Sequence, residues 1–229
     1  MKEKRMESAY TEAIANCRLF NDIPKEKLDE LISFLHGHIR SYQKGETIVR
    51  LGDPFSYAGI VLEGKVEVSY TNNHYDKFNV NHFAPSEIFG EALALKRISY
   101  SPIQVQALSD SRILFVDLSY VLVSEERCCD ACGFLHQLLL NLTSRMADQN
   151  VFSHLKLRIL SQKSLRDRIF VYLGSIRPNE QGVRHVPFSQ TALAEFLCVN
   201  RSALSRELGR MQDENLLLIR GSEYTLLSQ

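Results

Sequence analysis

Apolar residues recur along this chain in three rhythms. Between residues 5 and 36, Ile14, Leu19, Phe20, Ile23, Leu28, Leu31, Ile32 and Leu35 return at roughly helical spacing, with a break at Asn21–Pro24. This predicts packed helices. From Ser41 to Asp117 the rhythm shortens into runs rich in Val, Ile, Phe and Tyr: ETIVRLGDP, AGIVLEGKVEVSY, DKFNVNHF, IQVQAL and RILFVDL. In KVEVSY, Val66 and Val68 face one way, Glu67 and Ser69 the other. Turn formers separate the runs at Lys44-Gly45, Gly52-Asp53-Pro54, Glu63-Gly64, Asn72-Asn73 and Ser109-Asp110. Short strands at such spacing predict a small all-β sandwich or barrel.

The helical rhythm returns from about Cys129 to Leu160. Leu135, Leu139, Leu142 and Met146 fit the d and a positions of a heptad, and the same register continues to the polar Gln149 and Ser153. The apolar half predicts a dimer seam. The polar half must meet water, a ligand or a partner's polar groups, because burying it unpaired costs about 1–3 kcal/mol per group. Residues 164–176 form a further amphipathic stretch, and GVRHVPF reads as a short strand. A helix over 191–197, a tight turn at Cys198–Val199, a helix within 200–217 and two short β runs around Gly221–Ser222 then close the pattern. Two short helices at a tight turn followed by a hairpin predict a winged helix-turn-helix.

Composition narrows the classes. A chain of 229 residues is comfortable as two domains, and 45% hydrophobic with 24% charged residues is ordinary for a globular protein. Lys plus Arg equals Asp plus Glu at 27 each, which excludes a wholly electrostatic nucleic-acid binder but not a locally basic one. No apolar run approaches the roughly 20 residues that cross a bilayer, and the charged N-terminal stretch lacks a signal-peptide core. A cytoplasmic location is expected, so Cys17, Cys128, Cys129, Cys132 and Cys198 read as free thiols. P-loop, HExxH and GxSxG patterns are missing, so no enzyme activity is expected.

The second helix of the C-terminal pair carries the function-bearing pattern. Asn200 can cap it, while Ala203, Leu204, Leu208 and Met211 form a packing face. Arg201, Ser202, Ser205, Arg206 and Arg210 fall elsewhere. Arg201 and Arg206 lie in the N-terminal half, where a recognition helix meets base edges, and arginine can donate two bonds to guanine O6 and N7. Ser205 can reach a phosphate. The plain alternative is a solvated helix whose Arg206 and Arg210 pair with Glu207 or Glu214.

Across residues 17–229 the chain resembles the Crp/Fnr family, that of the cyclic-AMP receptor protein and the fumarate-nitrate regulator. The resemblance rests on LFNDIPKEKLDELISFL, on KGETIVRLGDPFSYAGIVLEGKVEV with Gly45, Gly52 and Gly64 at its turns, on IFGEALAL, and on NRSALSRELGRMQDENLL. It implies an α+β fold: a cyclic-nucleotide-binding-like β-roll (jelly roll) at 1–127, a long dimerisation helix at 128–160 and a winged helix-turn-helix at 161–229. It further implies a homodimer bound to a near-palindromic site on double-stranded DNA, working with RNA polymerase, and an effector held in the β-roll against the central helix. Arg201, Ser205 and Arg206 match base- or phosphate-contacting positions. Ser202 departs from the family, which is often acidic there, so the target sequence is not transferable. Cys198 stands where glycine is common.

IFGEALAL resembles the core of the family's phosphate-binding cassette and supplies Phe89, Gly90 and Glu91, whose carboxylate would meet a ribose hydroxyl. The arginine and small hydroxyl residue that hold a cyclic phosphate fall at Ser101 and Pro102, so the arginine is missing. Lys96 and Arg97 lie on the wrong side of the loop to replace it. The effector is therefore expected not to be cyclic AMP; no cofactor is specified, and the effector is a small molecule of unidentified chemistry. Ser153 and His154 are further pocket candidates on the central helix.

Two alternatives stand beside this reading. Cys128, Cys129 and Cys132 include a CxxC, and His136 follows Cys132 at i+4. A redox- or metal-responsive regulator could use Cys129, Cys132 and His136. Cys17 alone near the start does not reproduce the family's iron–sulfur cluster, and His36, His38, His74 and His82 are loose haem candidates. The other alternative is a cyclic-nucleotide-binding module that regulates an enzyme or channel, against which the C-terminal helix pair speaks.

Overall fold

Strands of alternating character need a second apolar layer, and this chain supplies one from within itself. The computed structural model describes residues 8–71, 77–122 and 132–227. The chain divides into two compact units, residues 1–147 and 148–229. The boundary falls inside one long helix.

In the first unit, α1 (Ser8–Ala15), a 3₁₀ turn (Arg18–Phe20) and α2 (Lys25–Phe34) precede the strands. Pro24 takes the N-cap of α2, which explains the break in the periodicity. The strands are β1 (His38–Tyr42), β2 (Thr47–Val49), β3 (Ala58–Glu63), β4 (Val66–Thr71), β5 (Lys77–Phe83), β6 (Ile88–Phe89), β7 (Ile103–Ala107) and β8 (Ser111–Val116). They form two four-stranded antiparallel sheets, ordered β1-β8-β3-β6 and β2-β7-β4-β5. Between β6 and β7 lies the one-and-a-half-turn helix α3 (Glu91–Lys96). Ile60, Val61, Val66, Val105, Ile113 and Leu114 from both sheets share one core with Ile14, Leu28 and Leu31 of the N-terminal helices. Each such side chain contributes about 1.5–3 kcal/mol by burial. Ser69 departs from the expected alternation: it is buried, next to a register shift between Val68 and Tyr70 in the β4–β5 ladder.

The long helix α4 runs from Cys132 to Leu160. The expected heptad seam divides there. Leu135 and Leu142, with Leu138, are buried in the core of their own unit, whereas Leu139 and Met146 stay exposed together with Leu140. Heptad spacing marks an apolar stripe but does not say what covers it, and here the chain itself covers part of it.

The second unit packs Leu155 and Ile159 of α4 with α5 (Leu165–Ser175), α6 (Gln190–Phe196) and α7 (Arg201–Asp213). A three-stranded antiparallel sheet, ordered β10-β11-β9, completes it from β9 (Val183–His185), β10 (Leu217–Arg220) and β11 (Glu223–Leu226).

Candidate functional sites

Local sequence chemistry builds the α6–α7 pair. Ser189 caps α6, its Oγ accepting from the Ala192 N–H. Asn200 caps α7, its Oδ1 accepting from the Ala203 N–H at 2.7 Å. Leu204, Leu208 and Met211 are buried, which turns Arg201, Ser202, Ser205, Arg206 and Arg210 to solvent. Among the described residues, no carboxylate lies within ion-pair distance of Arg201 or Arg206. Arg206 donates its Nε to the Ser202 carbonyl at 3.3 Å, which leaves both terminal nitrogens of the fork for an outside acceptor. The Ser202 hydroxyl donates to Asn200 Oδ1 at 2.9 Å and so serves the cap.

Of the alternative pairings on this helix, Arg210 does come within ion-pair distance of Glu207, while Arg206 pairs with neither acid among the described residues and a cation of α5 holds both acids more closely. Arg166 of α5 donates its Nε to Glu207 at 2.7 Å and both terminal nitrogens to Glu214 at 2.6 and 2.9 Å. These bonds hold the Glu214 carboxyl below its ordinary range. Arg210 reaches Glu207 only at 3.7 Å.

The turn between the two helices is strained at Cys198. Cys198 has φ of 55°, in the left-handed region that costs an L-residue about 1–2 kcal/mol. Glycine suits that position because it lacks the Cβ. The thiol is free and exposed.

In the first unit, Phe89, Gly90 and Glu91 lie where β6 runs into α3, and Ser101 and Pro102 lead into β7. Both segments meet the turn at residues 52–55. The Gly52 N–H donates to the Ser101 carbonyl at 2.9 Å, and the Phe55 N–H to the Ile98 carbonyl at 2.7 Å. Gly90 adopts φ of 75° with the Phe55 ring against its Cα, so a side chain there would meet both strain and a clash. Phe89 is buried. Ser101 is fully buried, and its hydroxyl donates to the Ile103 carbonyl at 2.9 Å while accepting from the Ile103 N–H. Arg97 points to Asp117 at 3.4 Å, and Lys96 is exposed.

Glu91 is 2% exposed, and its Oε1 accepts from Nη2 of Arg145 on α4 at 2.8 Å. A carboxylate buried so deeply needs such a partner. The Arg145 Nε is buried with no hydrogen-bond partner among the described residues. Arg145 and Arg166 are the residues that sequence reasoning missed. A cation among the exposed polar positions of a helix looks solvated until its distant carboxylate is known.

Ser153 and His154 fall in the second unit and are exposed on α4. Cys128 and Cys129 lie outside the described residues, and so does the side chain of Cys132; His136 is exposed. Among the described residues, no group of three or more His, Cys, Asp or Glu is placed to hold a metal ion. Cys17 is packed in the core, and burial pushes its thiol up to about 11, so it serves as a small apolar side chain. A shallow depression of about 580 Å³ is lined by Tyr42, Glu46, Glu63 and Arg112 among others, and none of Phe89, Gly90, Glu91, Ser101 and Pro102 lines it. Among the described residues, no helix is long and apolar enough to cross a membrane.

A family model for the cyclic nucleotide-binding domain matches residues 39–123. The transcriptional activator protein FnrA of Stutzerimonas stutzeri is 26% identical over 195 residues, covering 82% of this chain and 76% of that one. Among solved structures, the catabolite activator protein of Thermus thermophilus is similar, with a TM-score of 0.56 at 20% identity over 91% of this chain and 93% of that one. The c-di-GMP responsive global regulator CLP of Xanthomonas campestris is similar with a TM-score of 0.53 at 18% identity, covering 87% and 99% respectively. At these identities the structural likenesses concern the fold.

Proposed function

We propose that this chain, which belongs to the Crp/Fnr family, is a dimeric, sequence-specific DNA-binding transcription regulator whose β-sandwich answers to a small effector other than cyclic AMP. The carrying observation is the α7 surface. Arg201, Ser205 and Arg206 face solvent together, and Glu207 and Glu214 are held by Arg166. In this reading α6, α7 and the β10–β11 hairpin are a winged helix-turn-helix. Arg206 offers its two terminal nitrogens to a guanine edge, and Arg201, Ser205 and Arg210 meet phosphates or neighbouring bases. Ser202 contributes the cap rather than a selective contact.

The division into a sensor at 1–127, a dimerisation helix at 128–160 and a DNA reader at 161–229 follows from the same reading. Leu139, Leu140, Met146, Val151 and Leu157 are exposed apolar residues of α4 and supply the surface for a second copy. RNA polymerase is the further partner that a transcription regulator of this kind engages, and the site of action is the cytoplasm.

The effector half of the proposal rests on three facts. Ser101 stands where the phosphate-holding arginine would be, its hydroxyl is committed to Ile103, and the Glu91 carboxylate that would meet a ribose is paired with Arg145. A buried cyclic phosphate would therefore lie unpaired at a cost of several kcal/mol. Both halves are tested by fluorescence anisotropy on random-sequence duplex DNA at low salt. The protein should bind with an affinity that falls steeply with salt, and cyclic AMP should leave it within about twofold. Absence of binding contradicts the first half, and a tenfold gain with cyclic AMP contradicts the second.

A further inference from the structure

We infer that Arg166, on α5, is the positioning residue that sets the pose of the recognition helix. The inference rests on the DNA-binding reading of α7 and deepens it. Arg166 uses every nitrogen of its guanidinium on α7: Nε to Glu207 and the terminal pair to the two oxygens of Glu214. Glu207 lies in the middle of α7 and Glu214 is its C-cap residue. The two contacts are therefore two turns apart along the helix. A planar fork gripping two such points fixes the rotation and the axial position of α7 against α5. The platform is itself anchored: Ser164 caps α5 and exchanges bonds with Asp167, while Ile169 and Leu173 are buried in the same core as Leu204 and Leu208.

The clamp also holds two of the carboxylates at α7. Glu207 and Glu214 are drawn toward α5, and carboxylates facing a phosphate backbone would oppose binding. Because Arg166 already satisfies Glu207, Arg210 contacts that acid only at 3.7 Å and is loosely held. It can leave Glu207 for a phosphate without stranding a charge. Apolar packing alone would leave α7 free to rotate by some degrees, since Leu and Met contacts are not directional. Base readout needs more than that, because bidentate hydrogen bonding to a base edge fails with small errors of angle.

Arg166→Lys separates geometry from charge, since lysine keeps the cation and loses the fork. Binding of this variant and the wild type would be measured on a duplex recovered by selection and on random duplex. Affinity for the selected duplex should fall about tenfold, with affinity for random duplex unchanged within about twofold. Equal losses on both duplexes, or no loss on either, would overturn the inference. A second measurement does not depend on DNA: amide hydrogen exchange across residues 204–214 of the free protein should speed up in Arg166→Lys while that of the β-sandwich is unchanged. Unaltered exchange there overturns the inference whatever α7 binds. Failure of the wild type to distinguish the duplexes, with faster exchange in the variant, instead faults the reading of α7 as a DNA reader.

Discussion

Arg206→Ala should abolish sequence-specific DNA binding while leaving the fold intact. Its guanidinium is exposed, makes no ion pair among the described residues and is steadied by a single bond from Nε to the Ser202 carbonyl. Removing it takes nothing from the core. A bidentate arginine–guanine contact discriminates by about 1–3 kcal/mol, and a dimer loses two of them, so the loss is about 2–6 kcal/mol, or roughly 30-fold to 10⁴-fold. Non-specific affinity should fall much less, because one cation per protomer is removed from a larger basic surface. Arg206→Lys should not restore specificity, since an ammonium has no fork. Gel-shift titrations on selected and random duplexes, with circular dichroism as the fold control, measure this. A loss of equal size on both duplexes would mean that Arg206 contributes charge alone.

Arg145→Ala should be the most damaging single change in the first unit. It removes the arginine that holds the Glu91 carboxylate, whose side chain is 3% exposed. Removing one partner of a buried pair destabilises by about 3–5 kcal/mol, and the Arg145 side chain, at 21% exposed, puts this case near the lower end. With 2–4 °C per kcal/mol for a domain of this size, the melting transition of the β-sandwich should drop by about 6–12 °C. The double variant Glu91→Gln with Arg145→Met should recover most of the loss, because neither residue then carries a charge to be left unpaired. Differential scanning calorimetry of the three proteins decides the matter. If the single and double variants melt together, the damage comes from lost packing and the ion pair is not what joins α3 to α4.

Both residues show how unevenly a sequence discloses its structure. The α6–α7 pair was legible because its determinants are local: the Asn200 cap, the buried face of Leu204, Leu208 and Met211, and the tight turn all lie within about one helix length. The sandwich was legible for the same reason, from short alternating runs and turn residues. The Glu91–Arg145 and Arg166–Glu214 pairs span 54 and 48 residues, and no periodicity links such partners. The heptad on α4 was legible as an apolar stripe, but Leu135 and Leu142 are covered by their own unit while Leu139 and Met146 are not. Spacing cannot separate those fates, because a core and a partner helix ask for the same residues. Cys198 illustrates a third kind of limit. The preference for glycine was visible, yet its cause became clear only with the backbone angle of 55°.

Selection of binding sites for the purified protein from a pool of random duplex DNA is the decisive measurement. A dimer that presents two α7 helices should enrich an inverted repeat whose half-sites lie about 10–10.5 base pairs apart, centre to centre, with guanine at a fixed position in each half. Enrichment of no sequence, or of an unpaired site without two-fold symmetry, would contradict the account of this chain as a dimeric reader of DNA.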